Sequence, residues 1–210
     1  MKITKKIILF IVVLALATLY SYGIWPRAIY NTDIGSGAYE ISDLLKEDTS
    51  VEQYFTCKDK GLCGISIRIS KSGNPVIGTY DWTLTDAESG KKIASGVIDE
   101  AATNNKYFNS SSPQKKEIVK IDFPKQNESK GREYLFTIKG SDIKEDESMS
   151  VYMTEKGNID SKLSINGEQK NKASIVKLQY KRFNLETFIV FWVIMGYLFV
   201  FIKFMNKLFR

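Results

Sequence analysis

Histidine is absent from the 210 residues. That removes the commonest general base, any Ser-His-Asp arrangement and the usual zinc ligand. No Gly-rich phosphate loop, Walker motif or Ser-x-x-Lys nucleophile motif occurs either. Proline is scarce: Pro26, Pro75, Pro113 and Pro124 are the four, and none interrupts a strand-like run. The two long apolar runs contain no Asp, Glu, Lys or Arg. Transporters and proton relays usually keep ionisable residues in their spans, so neither transport nor intramembrane catalysis by this chain alone is expected. The acidic group Asp142, Glu145, Asp146 and Glu147 lacks the spacing of an EF-hand loop and reads as a solvated turn. No cofactor or metal is expected. Carboxylate pairs for glycoside hydrolysis, brought together by the fold, stay open.

Excess charge is confined to the ends. The chain has 30 basic and 24 acidic residues. Lys2, Lys5 and Lys6 precede the first apolar run, Lys203, Lys207 and Arg210 close the second, and these six account for the net charge of +6. The remainder is balanced, so the basic character is a membrane signal and no nucleic-acid partner is expected.

The first run, Ile7 to Trp25, has 19 uncharged residues. As a helix it reaches ~28 Å, close to the ~30 Å hydrocarbon core. The second, Thr187 to Ile202, extends to 185–205 if Lys203 snorkels. Tyr20, Tyr22 and Trp25 form an aromatic interface belt at the outer end of the first span. Ala17 and Ser21 give a small-xxx-small spacing, and Gly196 notches the second run. Basic tips at 1–6 and 206–210 place both termini in the cytoplasm and the central part outside a cell membrane crossed twice. Arg27, Lys181 and Arg182 argue mildly against that orientation. A cleaved signal peptide, with Ala15-Leu16-Ala17 as its cleavage site, is the competing reading of the first run.

Between spans 7–25 and 185–205 the sequence reads as a linker over 26–50 and a domain over 51–182. Gly64-Ile-Ser-Ile-Arg-Ile-Ser70, Tyr80-Asp-Trp-Thr-Leu-Thr85, Ile118-Val-Lys-Ile-Asp-Phe123, Tyr134-Leu-Phe-Thr-Ile138, Met149-Ser-Val-Tyr-Met153 and Ile175-Val-Lys-Leu-Gln-Tyr180 alternate with period two. Such alternation indicates strands with one wet face. Asp86-Ala-Glu-Ser-Gly90 and Gln126 to Gly131 supply turns. The expected fold class is mainly β: a jelly-roll-like antiparallel β-sandwich of seven to nine strands between two transmembrane helices. Trp82, in phase with Tyr80 and Leu84, should face the core. Ser42 to Glu47 reads as a helical turn or linker.

Cys57 and Cys63 enclose five residues at the lips of a turn. An oxidising compartment favours a structural disulfide, worth about 2 kcal/mol for so short a loop. A redox-active pair and two separate thiols are the alternatives. The polar stretch from Thr103 to Lys116 is the longest loop expected. Within it, Tyr107, Phe108 and Asn109 are candidate ligand contacts, with packing of the rings beneath the loop as the alternative. Asn109-Ser-Ser and Asn127-Glu-Ser match a glycosylation sequon.

Gln53-Tyr-Phe-Thr, Gly61-Leu-Cys-Gly-Ile-Ser-Ile, Gly78-Thr-Tyr-Asp-Trp-Thr-Leu-Thr-Asp, Gly90-Lys-Lys-Ile-Ala, Ile121-Asp-Phe-Pro, Ser129-Lys-Gly-Arg-Glu-Tyr and Phe136-Thr-Ile together span about 40% of the chain. This stretch resembles the extracytoplasmic jelly-roll domain of bacterial, especially Gram-positive, polytopic membrane proteins of cell-surface polysaccharide assembly. The resemblance implies a carbohydrate-binding sandwich. The chain departs from the family in having two spans instead of many and no glycosyltransferase region, so no catalytic residue carries over. The expected function is a membrane-anchored, non-catalytic binding or accessory subunit of envelope glycan assembly. Its partners would be the lipid bilayer, an integral-membrane protein, and an envelope glycan or lipid-linked sugar. The alternatives are a protein-interaction module (assembly factor, immunity-type protein or sensor subunit) and an enzyme working through two carboxylates or a thiol–disulfide pair.

Overall fold

The computed structural model describes residues 2–104, 108–112, 116–144 and 146–209. The chain divides into two units, residues 26–180 and the paired ends 1–25 with 181–210.

The strands form two antiparallel sheets. One runs in the order β11 (Glu168–Lys170), β10 (Ser161–Ile165), β3 (Ser50–Thr56), β8 (Glu133–Asp142), β5 (Thr79–Asp86), β6 (Lys92–Ile98). The other runs β1 (Tyr22–Ala28), β13 (Val176–Phe183), β4 (Leu62–Ser70), β9 (Ser150–Thr154), β12 (Ala173–Ser174). In this second sheet β7 (Ile118–Gln126) also pairs with β4, and β2 (Glu40–Ile41) with β9. A short helix, α2 (Glu100–Thr103), follows β6 and is capped by the Asp99 carboxylate.

The period-two pattern decides which side chains enter the core. Along β3 and the first half of β8, buried and partly exposed residues alternate strictly. Phe55, Tyr80, Leu84, Phe136, Ile138 and Leu163 come from one sheet, and Ile65, Ile67, Ile69, Val119, Leu178 and Tyr180 from the other, all within one buried cluster. Full burial of each aliphatic side chain is worth roughly 1.5–3 kcal/mol. Trp82 is buried as its phase requires, against Phe136 and over the cross-strand partner Gly96, where a Cβ would meet the indole at 2.9 Å. The expected turn after Asp86 is present. Gly90 takes a φ of 68°, and Ser89 donates to the Asp86 carboxylate from its amide at 2.9 Å and its hydroxyl at 2.8 Å.

Residues 26–50 are not a linker. Ile29, Tyr30 and Leu45 are core residues. Tyr30 bridges to Lys156 and Leu45 to Met149, while β2 pairs with β9. Ser42 to Glu47 forms no helical turn. The segment is a strap along the second sheet. Its bridge and strand partners lie more than a hundred residues onward, so no local pattern announces it.

The smaller unit holds α1 (Lys2–Ser21) and α3 (Leu185–Leu208). α3 is long and apolar enough to cross a membrane; Ile7–Ser21 of α1 is apolar but shorter. The first run therefore does not continue as a helix to Trp25. Gly23 weakens the helix, and Pro26 disfavours helical backbone at Trp25. Tyr22 and Trp25 lie on β1 instead, which is at the end of its sheet and so tolerates Pro26. Tyr20 stays on α1 and packs against Phe191; Phe10 packs against Trp192. Ala17 and Ser21 are fully buried, as a small-residue notch would be. Asn184 caps α3 by accepting from the Thr187 amide at 3.1 Å, with Glu186 in the first turn and Lys207 in the last.

Candidate functional site

β4 alternates strictly, so Ser66, Arg68 and Ser70 point away from the core that takes Ile65, Ile67 and Ile69. That face, expected to be wet, is roofed by the strap. Ser66 is 6% exposed and Arg68 9%. Between strap and sheet lies a cavity of about 320 Å³, at the small end of the range for small-molecule sites. Its floor is Ser66 and Arg68 of β4, Ile118 of β7, Ile175 just before β13 and Lys177 within it; its roof includes Tyr30, Thr32, Ile34 and Tyr39. An adjoining open depression of about 800 Å³ shares Tyr30 and Thr32 and continues past Asn31, Asp33 and Lys156.

Arg68 organises the site. Its Nη2 donates to Glu117 Oε2 at 3.4 Å, and the same oxygen accepts from the Tyr152 hydroxyl at 3.0 Å. The guanidinium carbon lies 4.7 Å from the Tyr152 ring centroid and 5.7 Å from that of Tyr39, within cation–π range. Tyr39 in turn meets Tyr30 edge-on at 6.0 Å. Burial, then the hydrogen bond to Glu117, holds the Tyr152 phenol above its usual value, so it donates at neutral pH. Burial does the same to Tyr30, reinforced by Tyr39. The lining thus offers ring faces, hydroxyls and two cationic side chains, and among the described residues no carboxylate or thiol. Such a set offers hydrogen-bond donors and ring faces to a small molecule.

The sequence-based candidates lie elsewhere. Tyr107 is outside the described residues. Phe108 is buried in the core cluster with Lys71 Nζ 5.8 Å from its ring, so it is packing rather than a ligand contact. Asn109 is exposed and donates to Thr103 O at 3.3 Å. Cys57 and Cys63 are not joined as a disulfide. Cys57, just past β3, is buried beside Tyr180. Cys63 falls where β4 shifts register against both β7 and β13, and donates to Gln179 O at 3.4 Å. Cys57 is buried and Cys63 partly exposed. Sequence reasoning passed over Tyr30, Tyr39, Arg68 and Lys177. The available signal was an arginine in an otherwise short-chain alternating strand, together with aromatics upstream in a stretch read as linker.

No protein-family model matches the chain, and no curated protein matches it in sequence.

Proposed function

We propose that the chain is a membrane-anchored, non-catalytic binding subunit of cell-envelope glycan assembly, held in the membrane through its helices with the sandwich outside the cell. The roofed cavity carries this reading. Tyrosine faces beside hydroxyl and cationic donors suit a sugar ring, which offers a weakly apolar face and a rim of hydroxyls. The adjoining depression gives a longer glycan somewhere to continue. The connectivity supports the resemblance to jelly-roll domains. With β1, β3, β4, β5, β6, β7, β8 and β13 taken as eight strands in chain order, one sheet reads 1-8-3-6 and the other 2-7-4-5, the arrangement of two interlocked Greek keys. The apolar, outward-facing surface of α3 and the basic tips support the anchoring.

The test is retention of the full-length chain, in lipid nanodiscs, on envelope glycan fractions. The wild type is expected to be retained and Tyr39→Ala to be lost. No retention, combined with co-purification of a stoichiometric membrane protein that contacts the sandwich, would establish a protein-interaction module instead. Protease added to intact cells is expected to remove the sandwich and spare the helices; protection until lysis would invert the orientation.

A further inference from the structure

We infer that the cavity beneath the strap recognises an acidic saccharide, a sugar carrying one carboxylate or phosphate, and that Arg68 and Lys177 are the residues that select it. The inference rests on the glycan reading and adds the charge of the ligand to it.

The argument starts from an incomplete set of partners. A guanidinium has five N–H donors and no acceptor capacity. Arg68 is nine-tenths buried, where an arginine is expected to be fully engaged. Among the described residues its side chain makes a single hydrogen bond, from Nη2 to Glu117, and its buried Nε has no acceptor. Glu117 is also shared with the Tyr152 hydroxyl. The rest of the arginine's environment is ring faces and the cavity it lines. Lys177 adds a second cation to the same wall, and no acid in the lining offsets it. A cavity with one surplus positive charge, two donor-rich cations and an enclosing roof is complementary to one anionic group. Charge-assisted hydrogen bonds of this kind are about twice as strong as neutral ones, so they discriminate against an uncharged sugar of the same shape. The volume admits a ligand near the small end of the usual range, in keeping with a single sugar unit.

The experiment is isothermal titration of the full-length protein in zwitterionic-lipid nanodiscs, free of sugar-headed detergent, with D-glucuronate, D-glucose 6-phosphate and D-glucose. At least one acidic sugar is expected to bind tenfold or more tightly than glucose, and which of the two it is identifies carboxylate or phosphate. Arg68→Gln should remove that preference, and Lys177→Gln, at a half-buried position that tolerates the change, should reduce it at least threefold with an unaltered melting temperature. Equal affinity for glucose and both acidic sugars would overturn the charge assignment and leave the glycan reading standing. Selectivity that survives both substitutions would overturn the assignment to these residues. No binding of any of the three, together with no retention on glycan fractions, would remove both proposals.

Discussion

Tyr80→Phe isolates one oxygen that fastens the strap to the sandwich. The Tyr80 hydroxyl donates to Leu45 O at 2.7 Å and accepts from the Met149 amide at 2.8 Å, while the Leu45 amide donates to Met149 O at 2.7 Å. All three residues are buried. Phenylalanine keeps the ring and its packing but leaves the Met149 N–H and the Leu45 carbonyl without that partner. A buried polar group stripped of its partner costs about 1–3 kcal/mol. The two together should cost about 3 kcal/mol, well above the usual effect of deleting an exposed hydroxyl. For a unit of this size that corresponds to a fall in melting temperature of roughly 6–12 °C. The assay is thermal unfolding of the full-length protein followed by tryptophan fluorescence, with hydrogen exchange at the Met149 amide as the local readout. The amide should exchange faster in the variant, and affinity at the Arg68 cavity should weaken because its roof is the same segment. A loss below about 1 kcal/mol with unchanged exchange at Met149 would show that the hydroxyl does not fasten the strap.

Gly96→Ala should destabilise the sandwich by about 1–3 kcal/mol, because the new methyl group meets the Trp82 indole at 2.9 Å and the ring is hemmed in by Phe136; a fluorescence spectrum and melting temperature identical to wild type would contradict this. Alkylation of the native protein at pH 8 should modify Cys63 before Cys57, whose thiol burial pushes up to about 12, and reduction should leave the mass unchanged; a two-dalton gain on reduction would reveal a disulfide. Burial raises the pKa of Cys57 from 9.0, and those of Tyr80 and Tyr134 from 10.0, each to about 12. The folded state therefore keeps protons that the unfolded chain releases, so stability should be full below pH 9 and fall steadily from pH 9 to 12; a melting temperature that stays level to pH 11 would refute it.

Much of the sandwich was legible because alternation is a local signal. Trp82 could be placed in the core from its phase with Tyr80 and Leu84, and the turn at Asp86 from its acceptor and Gly90. The failures share one cause, which is that partners distant in sequence leave no local trace. The strap pairs Leu45 with Met149 and Tyr30 with Lys156, so it read as a linker. Covering the polar face of β4 turned Ser66 and Arg68 from apparent solvent residues into a site. Cys57 and Cys63 are near each other in sequence, but Cys57 follows a strand of one sheet and Cys63 lies in a strand of the other, at a register shift, and proximity said nothing of that. The first apolar run looked continuous by composition, yet Gly23 and Pro26 end its helix at Ser21, and Tyr22 onward joins a sheet.

Because the cavity takes its roof from Tyr30 to Tyr39 and part of its floor from Ile175 and Lys177, it exists only after the residues between them have been synthesised. The strap leaves the ribosome with Ile29, Tyr30 and Leu45 exposed, and waits more than a hundred residues for Met149, Lys156 and β13. Such long-range pairing is slow and leaves apolar surface vulnerable in the meantime. The cavity is therefore completed late, and a chain stalled or clipped before β13 would lack part of its floor.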